Sequence, residues 1–142
     1  MAREGSSSRR APMEQKLVVH TKEGKIHKGV THDFDPGRDE FHVLPAEGGG
    51  IPMPMKVEGL KALFWVKDYL GNRDFVARRE FADDTKARKA VVVFSDGEEI
   101  WGTVDGAVEE ERGFFLTPSD KQDNNLRIFV VRSALKELRM VS

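Results

Sequence analysis

Apolar and polar positions alternate or cluster in short runs from residue 16 onward, and the runs are separated by turn residues. Such spacing predicts β-strands rather than helices. The first run, Lys16-Leu17-Val18-Val19-His20-Thr21, leads into Glu23-Gly24, and a later one, Lys89-Ala90-Val91-Val92-Val93-Phe94, leads into Asp96-Gly97. An acidic residue plus glycine between apolar runs signals a hairpin, because glycine tolerates positive φ. Strands are predicted over 16–21, 25–32, 40–44, 51–56 and 60–67, and again over 89–94, 98–106, 113–117, 126–132 and 135–141. Gly29 and Gly102 fall inside the second strand of each set, where glycine marks a bulge or bend.

The two sets run in step. At an offset of 73, residues 16–24 lie over 89–97, Gly29 over Gly102, Phe41 over Phe114 and Pro45 over Pro118. Two more residues in the second set bring Leu60-Lys61-Ala62-Leu63 over Leu135-Lys136-Glu137-Leu138 at an offset of 75. We read this as an internal duplication. Five short strands with tight turns and bends fit a small barrel. The expected fold is mainly β, with two tandem five-stranded barrels packed as a pseudo-dimer. The expected divisions are a disordered N-terminal arm at 1–14, a first barrel at 15–67, a packed connector at 68–88 and a second barrel at 89–142. In the connector, Tyr69, Leu70, Phe75, Val76 and Phe81 are expected to pack on a barrel. The unbroken apolar stretches 91–94 and 128–131 read as strands buried on both faces, so the halves are expected to cover each other.

The first set carries Val18-Val19, Glu23-Gly24, Ile26, Gly29, Phe34-Asp35 and Phe41-His42-Val43-Leu44. This series resembles the first motif of Sm-like (LSm) barrels. The second set has Asp96-Gly97, Ile100, Gly102 and Phe114-Phe115-Leu116 and lacks the Phe-Asp step. The arrangement is also similar to tandem domains of uncharacterised bacterial families. The resemblance implies a barrel fold and, for Sm-like proteins, RNA binding through an Asp-x-x-x-Asn loop and a later Arg-Gly turn. Here the loop is Asp35-Pro36-Gly37-Arg38-Asp39, and no Arg-Gly stands near Glu58-Gly59 or Ser133-Ala134. The fold is expected to carry over, and the RNA site is not.

Composition narrows the function. The chain has 142 residues, 39 % hydrophobic and 33 % charged, with a formal net charge of -1. A near-neutral chain does not coat nucleic acid or an anionic membrane. No cysteine is present, which removes disulfides, thiolate catalysis and cysteine-held zinc. No apolar run approaches the ~20 residues of a membrane span, and residues 1–14 lack the apolar core of a secretory signal. A soluble cytoplasmic protein is expected, without membrane insertion.

Candidate chemistry is sparse. His20, His27, His32 and His42 all lie in the first set, but His20, His27 and His42 align with Val93, Ile100 and Phe115, so they read as strand positions rather than metal ligands. The acidic stretch 33–40 has the wrong glycine and glutamate spacing for a calcium loop. Glu109-Glu110-Glu111 reads as a loop tip. Arg78-Arg79 is the residue type that holds a phosphate bidentately. A cyclic-dinucleotide receptor of the PilZ type would need Arg-x-x-x-Arg and then a serine motif, neither of which is present. Trp101 follows Ile100 on a strand, so the two face opposite sides. Nucleophile elbows and phosphate-cradling loops are absent from the sequence.

The expectation is a non-catalytic binding or regulatory adaptor whose partner is another protein, with no cofactor and no metal. The alternatives are an Sm-like nucleic-acid module, for which RNA binding is weakly supported, and a PilZ-like receptor. The expected binding residues are Asp35, Arg38, Asp39, Arg78, Arg79 and Trp101. The pattern specifies no oligomeric state.

Overall fold

A computed structural model describes residues 15–47, 50–70, 88–105 and 112–141, with the side chain of Asp105 outside the description. Ten strands form there: β1 (Lys16–Thr21), β2 (Ile26–Val30), β3 (Glu40–Pro45), β4 (Met53–Lys56), β5 (Leu60–Val66), β6 (Arg88–Phe94), β7 (Glu99–Asp105), β8 (Gly113–Pro118), β9 (Asn125–Val131) and β10 (Leu135–Val141). Short 3-10 turns, Val57–Gly59 and Arg132–Ala134, precede β5 and β10. The predicted strands are all found, with ends shifted by one or two residues. Gly24 and Gly97, with φ of 94° and 95°, close the two predicted hairpins.

The strands do not make two barrels. They form one continuous ten-stranded sheet in the order β10-β6-β7-β8-β9-β5-β1-β2-β3-β4, antiparallel throughout. The sheet is open: among the described residues β10 pairs only with β6 and β4 only with β3. The expected Sm-like resemblance, the tandem repeat, the two barrels and the pseudo-dimer are therefore corrected to a single open sheet. The physical reason lies at β5, which pairs with β1 on one side and with β9 on the other. A strand with both hydrogen-bonding edges filled joins two regions into one ladder and leaves no edge with which to close a barrel.

The core is divided between the two faces of this sheet. Ala62, Phe64 and Val66 of β5 and Ile128 and Val130 of β9 join Val18, Ala90, Val92, Phe94, Val104, Phe114 and Leu116. The intervening residues Leu63, Trp65, Phe129 and Val131 join Leu17, Val19, Phe41, Val43, Met55 and Val57 instead. Successive side chains of a strand point to opposite faces, so the two clusters lie on opposite sides. One is built with β6–β8 and the other with β3 and β4, so each end of the sheet curls over a different face. Every residue of β5 is buried, and 128–131 of β9 are buried as well. The expectation of two-sided burial for 91–94 and 128–131 agrees with this.

Two close backbone approaches make the curl. A Cβ on Gly29 would stand 2.1 Å from the Leu44 carbonyl oxygen, and one on Gly102 would stand 2.3 Å from that of Thr117. Only a residue without a side chain lets β2 and β7 pass so near their neighbours. Of the connector, Tyr69 packs against the core and donates its hydroxyl to the Gly29 carbonyl at 2.8 Å. Leu70, expected to pack, is 82 % exposed. Phe75, Val76, Phe81 and the arm 1–14 lie outside the described residues.

Candidate functional site at the seam of the sheet

The most unusual side chain on the sheet is a lysine inside its most apolar strand. β5 reads Leu-Lys-Ala-Leu-Phe-Trp-Val, and Lys61 is buried. In the β1–β5 ladder His20 faces Ala62 and Thr21 faces Leu60, so Lys61 is the extra residue of a β-bulge. A bulge re-aims a side chain out of the strict alternation. Its ammonium reaches Asp96 at 2.8 Å and also pairs with Glu98, on the turn between β6 and β7. It lies 4.8 Å from the centroid of the Phe94 ring.

The turn is built to receive it. Gly97 N–H donates to the Phe94 carbonyl and Phe94 N–H to that of Glu98. The free oxygen of Asp96, Oδ1, accepts the Glu98 N–H at 3.0 Å. Desolvation works to lower the Lys61 pKa, but hydrogen bonds to Asp96 and Glu98 outweigh it, and the pKa lies above its ordinary 10.5. The Asp96 carboxyl is held below its ordinary 3.8, first by the bond from Lys61 and then by the Glu98 N–H. Lys61 is thus held in its charged form by the two carboxylates.

A cavity of about 340 Å³ opens beside this clamp. Its walls come from His20 and the β1–β2 turn, from Lys61, from Phe94–Asp96, and from Ser133 and Ala134. Lys22 N–H donates to the Gly59 carbonyl and Ser95 N–H to that of Ala134, so both 3-10 turns are tied to the hairpins beside them. The His20 ring lies 4.7 Å from that of Phe64, tilted by 60°. Burial and then the Lys61 charge lower its pKa below the ordinary 6.5, which keeps the imidazole neutral at pH 7. Ser133 also lines a second cavity of about 340 Å³ with Asp39, Val57, Glu58, Arg112 and Val131.

The expected residues are scattered around this seam. Asp39 lines the second cavity, with its carboxylate 3.9 Å from Arg112 Nε, and Arg112 donates to the Gly37 carbonyl at 3.1 Å. Asp35 shapes its own loop, where its carboxylate accepts the Gly37 N–H at 2.8 Å. Arg38 is exposed in the same turn. The preceding Phe34 plugs the aromatic cluster, 5.2 Å from Phe41 and 5.0 Å from Phe129. Asp33 pins the loop's other side. Burial acts to raise its pKa, yet the backbone N–H and ring of His42, with Thr31, hold it below 3.8. Trp101 is half-buried on β7 in register with Val91. Arg78 and Arg79 lie outside the described residues, as does Glu109-Glu110-Glu111.

Sequence reasoning passed over Lys61, Glu98, Ser133 and Arg112. For Lys61 a signal existed, because a lone cation inside an otherwise apolar strand must be paired if it is buried. Among the described residues no group of three or more side chains could hold a metal ion.

Residues 13–142 match the model of a family described as "Family of unknown function (DUF6982)". The chain belongs to that family. No curated protein and no solved structure matches it. The DUF6982 match spans all ten strands and both cavities. No helix among the described residues is long and apolar enough to cross a membrane.

Proposed function

We propose that this chain is a non-catalytic, cytoplasmic binding module that docks part of a partner protein in the seam cavity beside Lys61. One observation carries the reading: the cavity is walled by elements from both regions of the sheet, around a lysine fixed by two carboxylates. Its volume of about 340 Å³ takes one or two side chains of a partner. Polar groups at the edge of a small preformed cavity orient what enters it. Lys61 is tied by two carboxylates that favour its charged form, and His20 packs at a tilt on Phe64, which suits recognition rather than proton or group transfer.

The test uses the full chain with a photoreactive residue in place of the exposed Glu23. Cross-linking in cells should give a discrete polypeptide adduct, and the cavity-filling Ser133→Trp should weaken it about tenfold. The identified partner should then bind the purified chain with the same sensitivity. A nuclease-sensitive adduct, or one indifferent to Ser133→Trp, would refute the reading.

A further inference from the structure

The charges around the cavity restrict what can enter it, and this inference rests on the docking reading above. Lys61 supplies one positive charge, while Asp96 and Glu98 both pair with it. Lys22 and Glu23, which also line the cavity, offset each other. The cluster therefore carries a surplus carboxylate beside a buried cation, with Asp96 lining the cavity and Glu98 outside its lining. A carboxylate or phosphate entering the cavity would meet that surplus. An ammonium or guanidinium would find Asp96 and Glu98 already paired with Lys61 and would meet the charge of that lysine, whose side chain is only 11 % exposed. In such a confined place a like charge costs more than in open water.

An ammonium has three N–H donors. Two of those on Lys61 are taken by Asp96 and Glu98. Lys61 lines the cavity, and so do the acceptor carboxylate of Asp96 and the hydroxyl-bearing Thr21, Ser95 and Ser133. A donor therefore stands beside acceptors in one small space. We propose that the cavity recognises an uncharged amide of the partner protein, an Asn or Gln carboxamide, with its carbonyl toward Lys61 and its N–H toward the Asp96 side. An amide offers both halves of that pairing and brings no net charge. His20 lines the same cavity, and its lowered pKa favours the uncharged ring.

The experiment is an NMR titration of the full chain. The probes are N-acetyl-glutamine methylamide, its glutamate and lysine counterparts, and inorganic phosphate. The glutamine probe should shift residues 20–24 and 94–96 saturably, and should bind about fivefold to tenfold tighter than the other three. Lys61→Met should remove that preference. Because Lys61→Met also unclamps the seam and threatens folding, Glu98→Gln is the second variant: it removes the surplus charge at a half-exposed position. It should tighten the glutamate probe several-fold and leave the glutamine probe unchanged. Glutamate or phosphate binding the unaltered chain as tightly as glutamine overturns the proposal, and so does a Glu98→Gln chain with unaltered discrimination. If no probe enters while Ser133→Trp still abolishes the protein cross-link, the amide preference falls and docking stands. If the cross-link is indifferent too, both fall.

Discussion

β5 and β10 begin alike and end in opposite environments. Each follows a 3-10 turn, opens with Leu-Lys, and carries a register shift at that lysine: Lys61 opposite His20 and Thr21, Lys136 opposite Phe94 and Val93. β5 continues Ala-Leu-Phe-Trp-Val and is buried along its whole length. β10 continues Glu-Leu-Arg-Met-Val, and most of its residues are exposed. The strands before them differ in the reverse sense. β4 is a four-residue edge strand holding Pro54, whereas β9 has seven residues and lies in the middle of the sheet. Similar local signals thus serve unlike positions. What decides the position is the number of faces and edges each strand must satisfy.

Truncating one side chain in each strand should separate the two environments most. Phe64→Ala removes a ring that is 4 % exposed in the core over β6–β8. It should cost about 4 kcal/mol in urea unfolding. Met140→Ala on β10, where the side chain is 44 % exposed, should change stability by less than about 0.5 kcal/mol. Equal costs would mean that β10 is covered as fully as β5.

A smaller effect sharpens the likeness of the regions rather than their difference. Gly29→Ala and Gly102→Ala each force a methyl into a neighbouring carbonyl. Each should destabilise by about 3 kcal/mol, because backbone cannot move aside as a side chain can. Calorimetry of the two variants should give similar losses. A tolerant Gly102→Ala would show that the bend at β7 is not needed for the curl.

The smallest effect belongs to the clamp, and its sign follows from the two shifts. The Lys61 pKa is raised, so its stabilisation is complete below the ordinary 10.5 and is lost as pH climbs through the folded value. The Asp96 pKa is lowered, so its stabilisation is complete above the ordinary 3.8 and is lost as pH falls through the folded value. Melting temperature should hence decline at both extremes. Lys61→Met should flatten the alkaline decline and cost about 2 kcal/mol at pH 7, less than a fully buried pair because both carboxylates are half-exposed.

Much of the secondary structure was legible in the chain. Alternation and β-branched runs located every described strand, and Glu23-Gly24 and Asp96-Gly97 located two hairpins. The unbroken apolar run at 128–131 announced burial on both faces. Barrel closure was not legible, because apolar pattern reports how many faces a strand buries but not which strand fills its free edge. Leu60–Val66 looks the same whether it closes a barrel or bonds to β9. The candidate site was mostly hidden. Asp39 was reached through a loop that resembles another family's, yet the same loop's Phe34 is a core plug. Ser133 matters through two turns brought together by long-range pairing, which spacing along the chain does not display. Lys61 alone was visible as a conflict between residue type and strand.

The pairing of β5 with β9 sets an order of events during synthesis. β5 is complete at Val66, but its second partner strand ends at Val131, 65 residues later. At roughly 5–20 residues per second, the ribosome needs about 3–13 s to cover that interval. Throughout it, a strand apolar on both sides has one bare hydrogen-bonding edge, the condition under which nascent chains stick to one another. β10, made last, carries Lys136, Glu137 and Arg139 and meets no such delay before it pairs with β6. The edge of β6 waits likewise for β10, but the longer interval belongs to the central strand, so the chain's greater vulnerability to misassembly lies in its first half waiting for its second.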